Sequence, residues 1–150
     1  MDFPPLRHLA TAVLFGSLLC GAAHAADTPA SLNGATVVSA EAVMAAHQAG
    51  TPIIDTRVAS EYADGHIKGA ISVPYREKSA KSVDFDASQD DFNLAKLPPD
   101  KAAALVVYCN GPECWKSFKA ATAAIKGGYT KILWYRDGFP QWQSKGLPVE

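Results

Sequence analysis

The stretch Ala103–Gly128, "AALVVYCNGPECWKSFKAATAAIKGG", decides how the rest of the chain is read. Its first residues form a continuous apolar run, the pattern of a strand buried on both faces of a parallel sheet. A Gly-Pro loop bounded by Cys109 and Cys114 follows. Trp115, Phe118, Thr122 and Ile125 then recur at helical spacing, and Gly127-Gly128 marks the end of the predicted helix. Open α/β sheets carry their chemistry where strands end and helices begin, so the two cysteines are the first candidates for function.

On either side of this stretch the same alternation of strand and helix continues. Thr36–Val38 is a short β-branched run, Ser39 a plausible N-cap, and Ala40, Val43, Met44 and His47 fall at helical spacing before Gly50. Ile53 and Ile54 predict a buried strand ending at Asp55. A helical turn around Ala59–Tyr62, a break at Gly65 and a strand over Ala70–Val73, stopped by Pro74, come next. Residues 75–99 are charged, lack apolar periodicity and end in Pro98-Pro99. They read as a long excursion with one helix near Asp90–Ala95. Beyond the central helix, "KILWY" (131–135) is a further strand and "GFPQWQSKG" (138–146) a final helix or turn. Together these predict one α/β domain over residues 36–150, with a mostly parallel central sheet flanked by helices.

The N-terminus has the layout of a cleavable signal peptide. Arg7 precedes the apolar run "LATAVLFGSLLCGAA" (9–23), and Ala23-His24-Ala25 supplies the small residues a signal peptidase prefers. We expect a signal peptide over residues 1–25, a polar linker over 26–35, and a periplasmic or secreted location. The run is shorter than the ~20 residues of a comfortable membrane span, and no strongly basic flank follows, so no membrane attachment is expected after cleavage. Leu19 before Cys20 departs from the small residue that precedes a lipid-modified cysteine. Cleavage leaves Cys109 and Cys114 as the only cysteines, too few for a disulfide framework, so the core must be hydrophobic. A formal net charge of −1 over 150 residues gives no broad attraction to nucleic acid.

At the cysteine loop, amide N–H groups left unpaired by the helix would converge on whatever the sulfur carries. Their partial positive charge favours thiolate, as does Lys116 if it faces the loop. The pattern is that of an anion cradle with a thiolate at its floor. The residues alone leave Cys109 open to three readings: an inert core cysteine, half of a disulfide, or a nucleophile with Cys114 as its companion. A metal site is not expected, because His47 and His66 do not lie at ligand spacing from the two thiols.

"IIDTRVASEYADGHIKGAISVP" (53–74) resembles the first signature of rhodanese-like domains, through Asp55, Arg57, Glu61, Tyr62, Gly65, His66, Ile67, Gly69 and Ala70. "VVYC" with "GGYTKILWYRDGFPQWQSKGLPV" resembles the second, through Gly128, Tyr129, Gly138, Trp142, Gly146 and Pro148. The likeness runs from Thr36 to Val149. Cys114-Trp115 and "WYRDG" also resemble a secreted subgroup marked by a Cys…Cys-Trp motif and associated with quinone-dependent alcohol catabolism in bacteria. The resemblance implies a sulfurtransferase without metal or organic cofactor. Cys109 would take a sulfane sulfur from a small anion such as thiosulfate and hand the persulfide sulfur to a thiol or cyanide. The amides of Asn110, Gly111, Glu113, Cys114 and Trp115, around Pro112, would form the cradle, with Lys116 or Ser117 as supporting donors.

Departures from the family pattern carry their own expectations. A common rhodanese loop has Arg five residues after the cysteine and Ser after that. Here Cys114 holds the place, and Lys116-Ser117 arrive two residues later without an arginine's bidentate fork. Glu113 facing a bound dianion would oppose it by about 1 kcal/mol in water and more in a drier site, so either it points outward or the natural donor carries less charge than thiosulfate. Cys114 reads either as a silent or statically bonded residue or as a resolving thiol that attacks the Cys109 persulfide. Other activities remain: a partner or sulfur-carrying module that docks a periplasmic dehydrogenase through the 75–99 excursion, a Cys109/Cys114 thiol-disulfide redox protein, and last a phosphatase. His66, Asp55 and Arg57 are read as structural polar groups, and Trp115 as an anchor of its helix. Trp134, Tyr135, Phe139 and Trp142 are read as core and rim.

Overall fold

The continuous apolar run becomes the centre of the sheet. A computed structural model describes residues 26–150, and the expected signal peptide at 1–25 lies outside the described residues. In chain order the elements are β1 (Ala35–Val37), α1 (Ala40–Gln48), β2 (Ile53–Asp55), α2 (Ala59–Asp64), β3 (Ile71–Ser72), β4 (Ala104–Tyr108), α3 (Trp115–Lys126), β5 (Lys131–Tyr135) and α4 (Gly138–Ser144). All strand pairs are parallel and the sheet order is β1-β5-β4-β2-β3. β4 therefore lies between β2 and β5, and its register brings Tyr108 level with Asp55 on one side and Tyr135 on the other.

Alternation along the strands sorts side chains onto two faces. Ile53, Val106, Tyr108 and Tyr135 pack with Ala40 and Val43 of α1 and with Phe139 and Trp142 of α4. Ile54, Leu105, Val107 and Ile132 pack with Ala120, Ala121 and Ala124 of α3. The small alanines let α3 lie close against the sheet. At the top of that face Trp134 meets Phe118 edge-on, with ring centroids 5.7 Å apart, and Phe118 meets Trp115 at 5.3 Å.

Ser39 caps α1, its Oγ accepting from the Ala42 amide at 3.3 Å. The excursion differs from the expected single helix. It holds two short 3-10 turns, Ala87–Gln89 and Leu94–Lys96, and is organised by one carboxylate. Asp90 accepts from the Lys78 and Ser79 amides, Ser79 Oγ and Tyr75 OH, at 2.6–2.7 Å. Burial acts to raise the Asp90 pKa, but these donors, led by Ser79, outweigh it and hold the carboxyl far below the usual range. The fully buried Lys119 of α3 closes the cluster. Its Nζ sits 2.9 Å from Glu77, 3.7 Å from Asp90 and 2.8 Å from Ser79 Oγ, tying the excursion to the helix.

Candidate functional site

Strand alternation turns Tyr108 toward α1 and α4, so the next residue, Cys109, faces α3. Its sulfur is bonded there to Cys114, the N-cap residue of α3, with the two Cα atoms 6.3 Å apart. Cys109 is 1% exposed, whereas Cys114 is half-buried. Of the readings open for the pair, the structure shows the disulfide. Cys114 has extended backbone angles (φ −90°, ψ 106°), and its side chain makes no capping hydrogen bond.

The backbone of the loop is fixed independently of that bond. The Cys114 amide donates to Gly111 O at 3.0 Å, closing the turn, and Gly111 takes φ 139°, which its lack of a Cβ permits. Asn110 Nδ2 donates to Glu61 Oε1 of α2 at 2.5 Å, and the second Glu61 oxygen accepts from the Val58 amide. Behind the loop, Phe139 N donates to Cys109 O at 2.9 Å. Gly138 (φ +73°) lies so close that a Cβ there would sit 2.5 Å from Cys109 O and 2.5 Å from Gly111 N. Among the described residues, the amides of Gly111, Glu113 and Trp115 have no hydrogen-bond partner. They are available to a ligand or a developing anion at the start of α3.

A further support comes from a segment that reads in the sequence as a polar linker. Thr28, 3% exposed, donates through both its amide (2.8 Å) and its Oγ1 (2.7 Å) to Pro112 O. Arg136 Nε donates to Thr28 Oγ1 at 3.1 Å and Nη2 to Thr28 O at 2.6 Å. Trp115 Nε1 donates to Ala26 O at 2.9 Å. Residues 26–28 thus strap the loop from outside. Thr28 does not stand out in the sequence and Arg136 does so only within "WYRDG", with no role attached; the need of the Trp115 indole for an acceptor is the local hint of a partner.

The other expected residues separate into two groups. Glu113 is exposed, with its carboxylate folded beside Gly111, and Lys116 is half-buried. Ser117 does not serve the loop as expected of a supporting donor: it is 1% exposed on the sheet-facing side of α3, and its Oγ accepts from Trp134 Nε1 at 3.0 Å. Trp115 is buried as an anchor. His66 stacks on Tyr62 with centroids 3.7 Å apart and pairs through Nδ1 with Tyr62 O at 2.9 Å, a satisfied structural histidine.

Asp55 and Arg57 form a buried pair, with Nη2 2.6 Å from the carboxylate. Tyr108 OH also donates to that carboxylate. Arg57 Nη2 reaches Gly65 O at 2.7 Å, and its guanidinium lies 4.2 Å over the Phe139 ring. Burial would lower the Arg57 pKa, yet the Asp55 carboxylate more than reverses this and leaves it raised. Burial, reinforced by the Asp55 charge, raises the Tyr108 phenol. This network fixes the end of β4 one residue before Cys109. An open cleft of about 270 Å³ flanks the loop between Asn110, Glu61, Arg57 and Phe139.

Comparison with known proteins agrees with this architecture. Residues 39–145 match the model of the rhodanese-like domain. The chain is 28% identical over 117 residues to the chloroplastic thiosulfate sulfurtransferase 16 of Arabidopsis thaliana, covering 76% of this chain and 94% of that protein. It is 32% identical over 98 residues to an HTH-type transcriptional regulator of Mycobacterium tuberculosis, covering 65% of this chain and 37% of the regulator. Among solved structures, the BH2092 protein of Bacillus halodurans aligns with TM-score 0.57 at 22% identity, over 77% of this chain and 76% of that one. A thiosulfate sulfurtransferase of Pseudomonas aeruginosa aligns with TM-score 0.57 at 24% identity, over 77% of this chain and 20% of that one. At these identities the structural likenesses speak for the fold, whereas the family match covers the first signature, the cysteine loop and most of the second signature. The chain belongs to the rhodanese-like domain family.

Proposed function

We propose that the protein is a sulfurtransferase that carries a sulfane sulfur as a persulfide on Cys109. The observation that carries this reading is the place of Cys109: it follows the central strand directly, and its sulfur meets Cys114 at the start of α3, in a loop that has unpaired amides. With the disulfide reduced, the Cys109 thiolate attacks the outer sulfur of thiosulfate, the sulfur–sulfur bond of the donor breaks, and sulfite leaves with the electron pair. The amides of Gly111, Glu113 and Trp115, unpaired in the loop, are the donors proposed to stabilise the terminal sulfur, which bears negative charge. A thiolate or cyanide attacks that sulfur and Cys109 leaves as thiolate, so the enzyme returns to its starting state. The thiosulfate sulfurtransferase name of the Arabidopsis relative supports the donor class.

The leader-like N-terminus supports export to the periplasm or beyond. The Cys114-Trp115 pattern supports membership in the subgroup associated with quinone-dependent alcohol catabolism, with a periplasmic partner. The enzymatic reading is tested by steady-state release of sulfite from thiosulfate, with cyanide and a dithiol both present as acceptors. Wild type should turn over, and Cys109→Ser should lose at least about 10³-fold in rate. Equal turnover by the variant, or none by wild type, would refute it.

A further inference from the structure

We infer that Cys114 is a second catalytic thiol, which expels the transferred sulfur from Cys109 as sulfide, so that a dithiol must reset the enzyme. The inference rests on the sulfur-transfer reading and adds its acceptor. The Cys114 thiolate attacks the Cys109-side sulfur of the persulfide. A bond forms between the two cysteine sulfurs, the persulfide bond breaks, and hydrosulfide departs with the electron pair. The two thiols are oxidised and the sulfane sulfur is reduced to sulfide. The product is the disulfide that the structure contains. An external dithiol then returns both cysteines to thiols and becomes a disulfide itself. Over one cycle, thiosulfate and a dithiol yield sulfite, hydrogen sulfide and the oxidised dithiol.

Four observations favour this role over a static staple. The turn bond from Cys114 N to Gly111 O and the strap from Thr28 to Pro112 O hold the loop closed without help from sulfur. Once reduced, Cys114 therefore stays beside Cys109 at high effective concentration. Secondly, the ring closed by residues five apart in sequence is short, and closure entropy gains least from short loops. Thirdly, the Cys114 side chain does not cap α3, although it stands at a position where Ser, Thr, Asp or Asn would do so. Lastly, the two cysteines differ in exposure. Cys109 is 1% exposed and Cys114 half-buried, so an incoming thiolate meets Cys114 first. Cys109 is then the leaving thiolate. Reduction runs through a mixed disulfide on Cys114 and frees the nucleophile last.

The test is a single turnover without any external thiol. Reduced, desalted wild type is mixed with equimolar thiosulfate, and sulfide, sulfite and intact mass are read together. The expected result is roughly one equivalent each of sulfite and sulfide, with the protein recovered as the disulfide and no added sulfur. Cys114→Ser, and Cys114→Ala as a second variant, should release sulfite but at least about tenfold less sulfide, and should retain one sulfur on Cys109. Wild type that releases sulfite yet keeps the added sulfur and yields no sulfide overturns this inference and leaves sulfur transfer standing. No sulfite and no added sulfur in any of the proteins overturns both. A second readout follows direction: oxidised wild type is incubated with glutathione and alkylated under denaturing conditions. Glutathione on Cys114 with the alkyl group on Cys109 is expected, and the reverse assignment contradicts the order of attack.

Discussion

Gly138→Ala tests how the end of β5 holds the cysteine loop. The residue has φ +73°, and the added methyl would lie 2.5 Å from Cys109 O, 2.5 Å from Gly111 N and 2.8 Å from the Asn110 carbonyl carbon. These are backbone atoms, so no side-chain rotation relieves the overlap. The left-handed backbone costs an alanine about 1–2 kcal/mol. Displacing a packed backbone adds about 1–3 kcal/mol, for a total of about 2–5 kcal/mol. At roughly 4 °C per kcal/mol for a domain of this size, Tm should fall by about 8–20 °C. Gly146→Ala is the control. It has φ +65° but nothing within 4 Å of the added Cβ, so it carries the backbone cost alone, a fall of about 4–8 °C. Calorimetry of the two variants, paired with thiocyanate formation well below both transitions, separates strain from overlap. Gly138→Ala should also lose at least about tenfold in rate, because the loop it displaces carries the nucleophile. If it matches Gly146→Ala in both Tm and activity, the β5–α4 turn does not brace the loop.

Lys119→Met should cost about 3–5 kcal/mol in urea denaturation, since it leaves the Glu77 and Asp90 carboxylates buried without their cation; a loss below about 1 kcal/mol would mean that the cluster is hydrated. Asp90 titrates below its unfolded value of about 3.9, so the unfolded chain binds the proton first. Its stabilisation is complete above that pH and declines as pH falls toward the folded pKa. The drop in Tm between about pH 5 and about pH 3 should therefore be smaller in Asp90→Asn than in wild type, and equal drops would remove Asp90 from the acid limb. Thr28→Val deletes the hydroxyl that donates to Pro112 O and accepts from Arg136. It should cost about 1–3 kcal/mol and speed hydrogen exchange at the Cys114 amide, leaving β2 unaffected; unchanged exchange there would show that the strap does not hold the loop.

The strand, loop and helix around Cys109 are legible in the sequence because each has a local signal: an apolar run for β4, Gly-Pro for the turn, and helical spacing for α3. Ser39 as a cap and Asp55 with Arg57 as a buried pair are legible for the same reason, since their partners lie within a few residues. What escapes reading joins segments distant in sequence. Residues 26–28 read as a linker because nothing local records that Pro112, Trp115 and Arg136 wait for them. The excursion lacks periodicity because it is organised by one carboxylate and a buried lysine instead of an apolar stripe. Lys119 lies one turn beyond Trp115, and its charge disguises its burial. Proximity in sequence points Ser117 to the loop, but the helical rotation of α3 turns it onto Trp134. Which of the open readings for the two cysteines applies is beyond the spacing alone, because closure depends on the turn that returns Cys114 to Cys109.

Whether Cys109 becomes a persulfide is read from the intact mass of reduced Cys114→Ser protein after thiosulfate treatment and desalting. A gain of one sulfur atom is expected, mapped to the peptide containing Cys109 and discharged by cyanide as thiocyanate. An unchanged mass, or the same gain when Cys109 is also replaced by serine, would mean that Cys109 does not carry the sulfur.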